Sequence, residues 1–292
     1  MRRLLIIGCG DIGLRVARAL QGRRRIYALT RSERRHDLLR SVGVVPVAGD
    51  LDHPDTLHRL AGIAQDVIHL APPPAAGTRD ARTANLVRAL TRARSLPQRL
   101  VYISTSGVYG DCGGALVDET RPARPLTDRA RRRVDAERAL RAWGAETGVH
   151  VSIVRAPGIY ASGRLPLERL KSGTPALAPG QDPYTNHIHA DDLARIVVAA
   201  LTRGRAGRAY NASDDSSMRM GEYFDFVAGR FGLPRPPRIT LEQASSRVPE
   251  TLLSFMRESR RLANVRMKKE LRIKLQYPSV VQGVVAPANA GC

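Results

Sequence analysis

Cysteine is scarce in this 292-residue chain, and neither the number nor the spacing of Cys9, Cys112 and Cys292 suits a disulfide framework or a thiolate metal site. Long hydrophobic runs are missing too. No stretch approaches the roughly 20 apolar residues of a membrane-spanning helix. The first apolar run is broken by a glycine turn and Asp11, and no small-residue cleavage site follows it. A cytoplasmic protein with no membrane partner is expected. Lysine occurs only at Lys171, Lys268, Lys269 and Lys274, and aromatics make up 4% of residues, which decides how the net charge of +20 is read. Basic surfaces attract phosphate backbones. Here, however, the charge is nearly all arginine spread over every predicted helix, stacking platforms are few, and there is no helix-turn-helix or zinc pattern. No specific nucleic-acid partner is expected, and there is no internal repeat.

What is present begins at residue 4. The run Leu4-Leu5-Ile6-Ile7, bounded by Gly8, reads as a strand buried on both faces, and the apolar residues Ile12, Val16, Ala17 and Leu20 fit one face of a helix. Between them lies Gly8-Cys9-Gly10-Asp11-Ile12-Gly13, a Gly-x-Gly-x-x-Gly pattern in the strand-turn-helix context it needs. Gly8 permits the tight turn, Gly10 lets backbone approach a pyrophosphate, and Gly13 lets the helix pack close to the strand. Dinucleotide binding is the expected function of this turn, with Asp11 and Ile12 inside it.

The second strand, Arg25–Thr30, runs into Arg31-Ser32-Glu33-Arg34-Arg35. Where NAD is preferred, an acidic residue near this strand end accepts hydrogen bonds from the ribose 2′-hydroxyl, whereas a 2′-phosphate calls for arginine. The segment therefore predicts NADP(H), NAD remaining possible, with Arg31 as the phosphate clamp and Ser32 as a hydroxyl donor. A third strand, Val44–Ala48, ends at Gly49-Asp50-Leu51, placing Asp50 and Leu51 at the adenine. A fourth over residues 66–70 runs through Leu70 and Ala71 into Pro72-Pro73-Pro74, where a prolyl run cannot continue a ladder and the chain leaves the sheet at the cofactor edge. With a fifth strand over 99–104, the alternation of strands and helices predicts an α/β fold of Rossmann type, a doubly wound parallel sheet. Residues 1–155 are expected to form the dinucleotide-binding domain and 156–292 a smaller substrate-facing part, with about 186–212 returning to the sheet. Helices are expected there at 165–171, 191–203, 220–231 and 251–262. The tail 286–292 lacks apolar periodicity and is expected to be mobile.

Several segments taken in order resemble the extended and atypical branches of the short-chain dehydrogenase/reductase superfamily, which include nucleotide-sugar epimerases, dehydratases and reductases. They are Gly8 to Gly13, the Asp50 turn, Leu70-Ala71, Ser104-Thr105-Ser106-Gly107-Val108-Tyr109-Gly110, Arg155-Ala156-Pro157-Gly158-Ile159-Tyr160, the segment from His187 to Ala194, Tyr210 to Asp214, and Tyr277-Pro278. The resemblance implies Pro157 at the cofactor, a polar small-molecule substrate such as a nucleotide sugar, and a homodimer.

The resemblance breaks at the chemistry. The superfamily pairs a Ser or Thr with Tyr-x-x-x-Lys, a phenol beside an ammonium that moves a proton as hydride is transferred. By the family's spacing the hydroxyl is Thr105. Counting back from Glu137 places Arg129 at the tyrosine and Arg133 at the lysine, and no Tyr-x-x-x-Lys occurs anywhere in the chain. A guanidinium keeps its proton near neutral pH and cannot serve as the base, although Arg133 can hold ribose or phosphate. Ser106 and Gly107 stand where the sugar dehydratases carry paired acidic residues, against that activity. Tyr109 and Tyr160 are the alternative phenols, and packing is the competing role for both. Cys112 has no evident base partner, and His187 with His189 reads as a strand pair rather than a metal site. Arg164 and Asn186 are expected contacts for an anionic substrate. Two functions follow: an NADP(H)-dependent oxidoreductase or epimerase, or a cofactor-binding sensor or assembly protein that has lost its acid/base pair.

Overall fold

The computed structural model describes residues 1–285; the tail 286–292, with Cys292, lies outside the described residues. A parallel seven-stranded sheet forms the centre. In chain order its first elements are β1 (Arg3–Ile7), α1 (Asp11–Leu20), β2 (Arg25–Thr30), α2 (His36–Ser41), β3 (Val44–Ala48), β4 (Asp66–His69), α3 (Ala81–Thr91) and β5 (Arg99–Thr105). There follow β6 (Leu116–Val117), α4 (Asp128–Thr147), β7 (His150–Ala156), β8 (Gly158–Tyr160), α5 (Leu167–Lys171), β9 (Ala176–Leu177), β10 (Tyr184–Thr185), β11 (His187–His189), α6 (Ala190–Arg203) and β12 (Ala209–Asn211). The strand order is β12-β7-β5-β4-β1-β2-β3. This is the Rossmann-type α/β fold the alternation predicts.

Burial on both faces explains the unbroken apolar run in β1. Leu4 and Ile6 pack in one cluster with Val16 and Ala17 of α1 and Leu193 and Val197 of α6. Leu5 and Ile7 pack in the other with Leu86 and Leu90 of α3 and Leu140 and Trp143 of α4. Strand side chains alternate faces, so four successive apolar residues supply both layers. α4 begins at Thr127, whose side chain accepts from Ala130 N, and stops at Gly148 in the left-handed region.

The segment closing the described chain is tied back by Asp192, near the start of α6. It is fully buried, and its two carboxylate oxygens accept from Gln276 N at 2.9 Å and Tyr277 N at 2.8 Å. The helix expected over 251–262 is shorter than the pattern suggests. α7 (Met220–Arg230), α8 (Leu241–Arg247) and α9 (Glu250–Met256) are helical, and then Arg261–Leu262 pairs in parallel with β6. Competing backbone partners end the helix. Ser259 O accepts from Cys112 N and Gly114 N, both at 3.0 Å, and the Asn186 side chain bonds Arg260 O and Leu262 N.

Candidate active site

Two clefts open at the carboxyl edge of the sheet and meet at Pro72. The first, of about 540 Å³, is lined by Gly8, Gly10, Thr30, Arg31, Ser32, Asp50, Leu51, Leu70, Ala71 and Pro72 among others. Its floor is the glycine turn. Gly8 sits at φ +84°, and a Cβ there would lie 2.5 Å from Ala71 N. Only glycine fits that turn. At Gly13 a Cβ would come within 3.3 Å of Gly8 O, so helix and turn are in close contact. Gly10 differs: a Cβ there meets nothing within 4 Å. The missing side chain leaves open space at the N-terminus of α1, where backbone N–H groups and the helix dipole favour an anion. The residues present therefore fit a dinucleotide.

The rest of the glycine motif is structural. Ile12 is buried in the core, and Asp11 pairs with Arg15 at 2.9 Å and Arg164 at 3.1 Å. Partial burial opposes ionisation of Asp11, and the two arginines outweigh it, holding the carboxyl below its ordinary range. Arg164 thus rests on the glycine turn and lines neither cleft. Arg31 is 72% exposed at the mouth of the first cleft, with Asp50 its nearest acidic partner at 3.9 Å. Ser32 is held on the turn by its N–H to Thr30 Oγ1 at 3.3 Å. Sequence reasoning missed Arg35 and Arg82, which line the same cleft. Arg35 donates to Cys9 O at 2.7 Å, and Arg82 forks onto Asp52 at 2.6 and 2.7 Å. Arg35 stood in the arginine-rich run after β2; nothing in the sequence marked Arg82.

The second cleft, of about 520 Å³, holds Thr105, Arg129, Arg133, Pro157 and Asn186 together, although they come from four separate segments. Arg133 reaches from α4 to the sheet, donating to Ile103 O at 2.9 Å, to the Tyr102 hydroxyl at 3.0 Å and, more distantly, to Ala71 O at 3.4 Å. It therefore braces the ends of β4 and β5 where the clefts join. Burial pushes the Tyr102 phenol up to about 12, against the pull of Arg133, so it stays protonated. Nearby His69 donates to or accepts from Thr83 Oγ1 at 2.9 Å, and burial, with the Arg133 charge, pushes it down to about 3, leaving it neutral. Thr105 is half-buried and its hydroxyl accepts from Gly107 N at 3.2 Å. Arg129 lies over the Phe255 ring at 4.2 Å. Asn186 lines the cleft, yet its amide is engaged by Arg260 O and Leu262 N.

The two alternative phenols lie elsewhere. Tyr109 is 1% exposed, donates to Asn211 Oδ1 at 2.8 Å and stacks against Arg155. Tyr160 donates to Ser279 O at 3.2 Å, and burial raises its pKa. Neither lines a cleft around the glycine turn. His187 packs against Tyr223, ring centres 4.1 Å apart, while His189 Nδ1 caps α6 by accepting from Asp191 N. Among the described residues no group of three or more His, Cys, Asp or Glu could hold a metal ion. No helix among them is long and apolar enough to cross a membrane. Burial raises the Cys112 thiol above its ordinary value, against the thiolate form.

The model of the NAD dependent epimerase/dehydratase family matches residues 4–213. The chain belongs to that family. Several members and structural neighbours are similar over most of its length. A functionally unknown conserved protein from Silicibacter pomeroyi is 28% identical, with a TM-score of 0.78 over 97% of this chain and 96% of that one. UDP-glucuronic acid 4-epimerase from Bacillus cereus, in complex with UDP-glucuronic acid and NAD, has a TM-score of 0.75 over 96% of both chains, and at 18% identity it shares the fold alone. Protein YeeZ of Escherichia coli is 25% identical over 181 residues, 62% of this chain and 59% of that protein. The chain thus matches less than two thirds of that relative's length. The NAD dependent epimerase/dehydratase family accounts for the shape of both clefts, and what sets this member apart is the pair of arginines, Arg129 and Arg133, on α4.

Proposed function

We propose that this chain is an NADP(H)-dependent oxidoreductase or epimerase acting on a polar small molecule, with nucleotide sugars among the candidate substrates. The observation that carries this reading is the open position at Gly10, aligned with an arginine-lined cleft that runs directly into a second cleft bearing Thr105. The glycine turn and the α1 N-terminus hold the pyrophosphate, Arg31 and Ser32 the 2′-phosphate, Asp50 and Leu51 the adenine side, and Leu70, Ala71 and Pro72 the path between clefts. Arg133 and Pro157 continue that path. A nicotinamide dinucleotide supplies hydride transfer. The chain supplies position and a proton route.

Arg129 and Arg133 cannot act as bases, because a guanidinium keeps its proton. Tyr109 is committed to Asn211. That leaves Thr105 as the hydroxyl in the cleft that can orient the substrate and pass a proton through water. Thr105→Ala is expected to lower turnover roughly 100-fold, the lower end of general acid–base contributions, with NADPH affinity nearly unchanged. Equal turnover in a steady-state assay removes Thr105 from the mechanism.

The cofactor assignment has its own test. Titration of purified protein with NADPH and NADH is expected to favour NADPH, and Arg31→Asp to weaken NADPH binding by about 1.5–3 kcal/mol, the worth of a charge-assisted hydrogen bond. NADH binding should change little. An equal loss for both nucleotides, or none for either, refutes the clamp.

One observation favours a second reading. With guanidiniums at both positions of the acid/base pair, the chain suits a cofactor-binding sensor. Tight binding of a single redox form, with no turnover across a substrate screen, would select it.

A further inference from the structure

The second cleft carries more positive charge than bracing the sheet or holding a cofactor ribose requires. Besides Arg129 and Arg133 it is lined by Arg132 and Arg260, and its only acidic lining residue is Glu258. The four guanidiniums feel one another: burial, together with Arg133, Arg132 and Arg260, lowers the Arg129 pKa while Glu258 opposes the shift. Like charges gathered at one place are destabilising unless a counter-charge joins them.

Two of these arginines are placed as a built site. Arg132 is 6% exposed and Arg260 8% exposed. Each is anchored by its Nη1, Arg132 to Gly77 O and Arg260 to Gly110 O at 2.6 Å and Glu258 Oε2 at 2.9 Å. Each has a buried Nε with no hydrogen-bond partner among the described residues. Glu258, equally buried, keeps Oε1 without a partner. Buried polar groups are ordinarily paired, and a cluster of unpaired ones on opposite walls of a cleft is the signature of an absent ligand.

We propose that this cleft binds a small hydroxylated anion, a phosphate or carboxylate carried on a sugar-like body. The guanidiniums of Arg132 and Arg260 take the anionic oxygens, and the Glu258 carboxylate accepts a hydroxyl. Arg132 is set by α4 and Arg260 by the segment between α9 and β6's partner strand, so the ligand joins the two halves of the chain. As the identity of a substrate, this inference rests on the reading given under Proposed function; as a binding site, it stands on the cleft itself.

The test is the thermal stability of the full chain with glucose 6-phosphate, glucuronate and neutral glucose, each with and without saturating NADPH, since a ligand that binds the folded state raises its melting temperature. At least one anion is expected to raise it by several degrees, with NADPH present or absent, and glucose not at all. Glucose 6-phosphate alone would identify a phosphorylated substrate, and glucuronate alone a carboxylate. Arg260→Gln and Arg129→Gln are expected to cut the affinity for that anion at least tenfold, whereas Arg31→Asp leaves it intact. Arg129 is on the open side of α4, so its variant tests the site even where Arg260→Gln does not fold. An anion response that NADPH abolishes, or that is lost only in Arg31→Asp, places the anion in the cofactor cleft and overturns the proposal. So does stabilisation by glucose equal to that by the anions, or none by any of them. NADPH affinity, measured separately in the same proteins, shows whether the cofactor reading has failed instead.

Discussion

Gly10→Asp is expected to leave the protein folded and to lower its affinity for NADPH more than about 100-fold, equivalent to about 2.7 kcal/mol. Gly10 caps α1 without a side chain, at φ −79°, a conformation any residue adopts. Aspartate is among the best helix caps, so stability should hold or rise slightly. Its carboxylate, however, enters the space where the turn leaves room for a pyrophosphate and repels it. Gly8→Ala, two residues earlier, should do the reverse. At φ +84° and with a Cβ 2.5 Å from Ala71 N, alanine there costs roughly 3 kcal/mol in backbone strain and overlap. Denaturant melts and nucleotide titrations of the two variants separate the roles. Full NADPH affinity in Gly10→Asp would mean that the cofactor does not cross this turn.

Glu137→Ala is expected to destabilise the fold by about 3–5 kcal/mol, because it leaves Arg155 charged and buried with no counter-ion. The pair forms a fork, Arg155 Nε to Glu137 Oε1 at 3.0 Å and Nη2 to Oε2 at 2.7 Å, joining α4 to β7. Arg141 adds a third bond to Glu137 Oε2 at 3.1 Å. Replacing both partners, Glu137→Met with Arg155→Met, should cost far less than the single change, since no unpaired charge remains. A double variant as unstable as the single one would show that packing, not charge, dominates here. Burial opposes ionisation of Glu137, and the hydrogen bond and charge of Arg155 outweigh it, so the folded-state pKa lies below the ordinary 4.5. Its contribution is therefore complete above pH 4.5 and is lost as pH falls through the lowered value. Acid titration of the melting temperature in wild type against the double variant reads this directly.

Much of the fold was legible because its cause is local. The alternation of Leu4 to Ile7 between two layers, the positive φ demanded at Gly8, and the prolines after Ala71 each act within a few residues, and the strands over 25–30 and 44–48 match the structure residue for residue. The loss of Tyr-x-x-x-Lys could also be read directly, since an absence needs no coordinates. Less was legible from residue 156 onward. The apolar spacing over 251–262 suited one helix, but the Ser259 carbonyl and the Asn186 amide offered partners more than 70 residues away in sequence.

Sequence by itself determined the sheet, the glycine turn and the arginines that stand where an acid/base pair would be, because each depends on residue type and short-range spacing. Tertiary structure alone decided which side chains share a cleft. Only the folded chain brings Arg260 and Glu258 to the face of α4 that bears Arg129 and Arg132, turns Tyr109 away toward Asn211, and leaves Arg31 exposed at the cofactor edge. The physical reason is that burial and charge add up over distance in space. Arg129 and Glu258 act on one another across a cleft, although 128 residues of chain separate neighbours such as Arg132 and Arg260, and no periodicity encodes that separation.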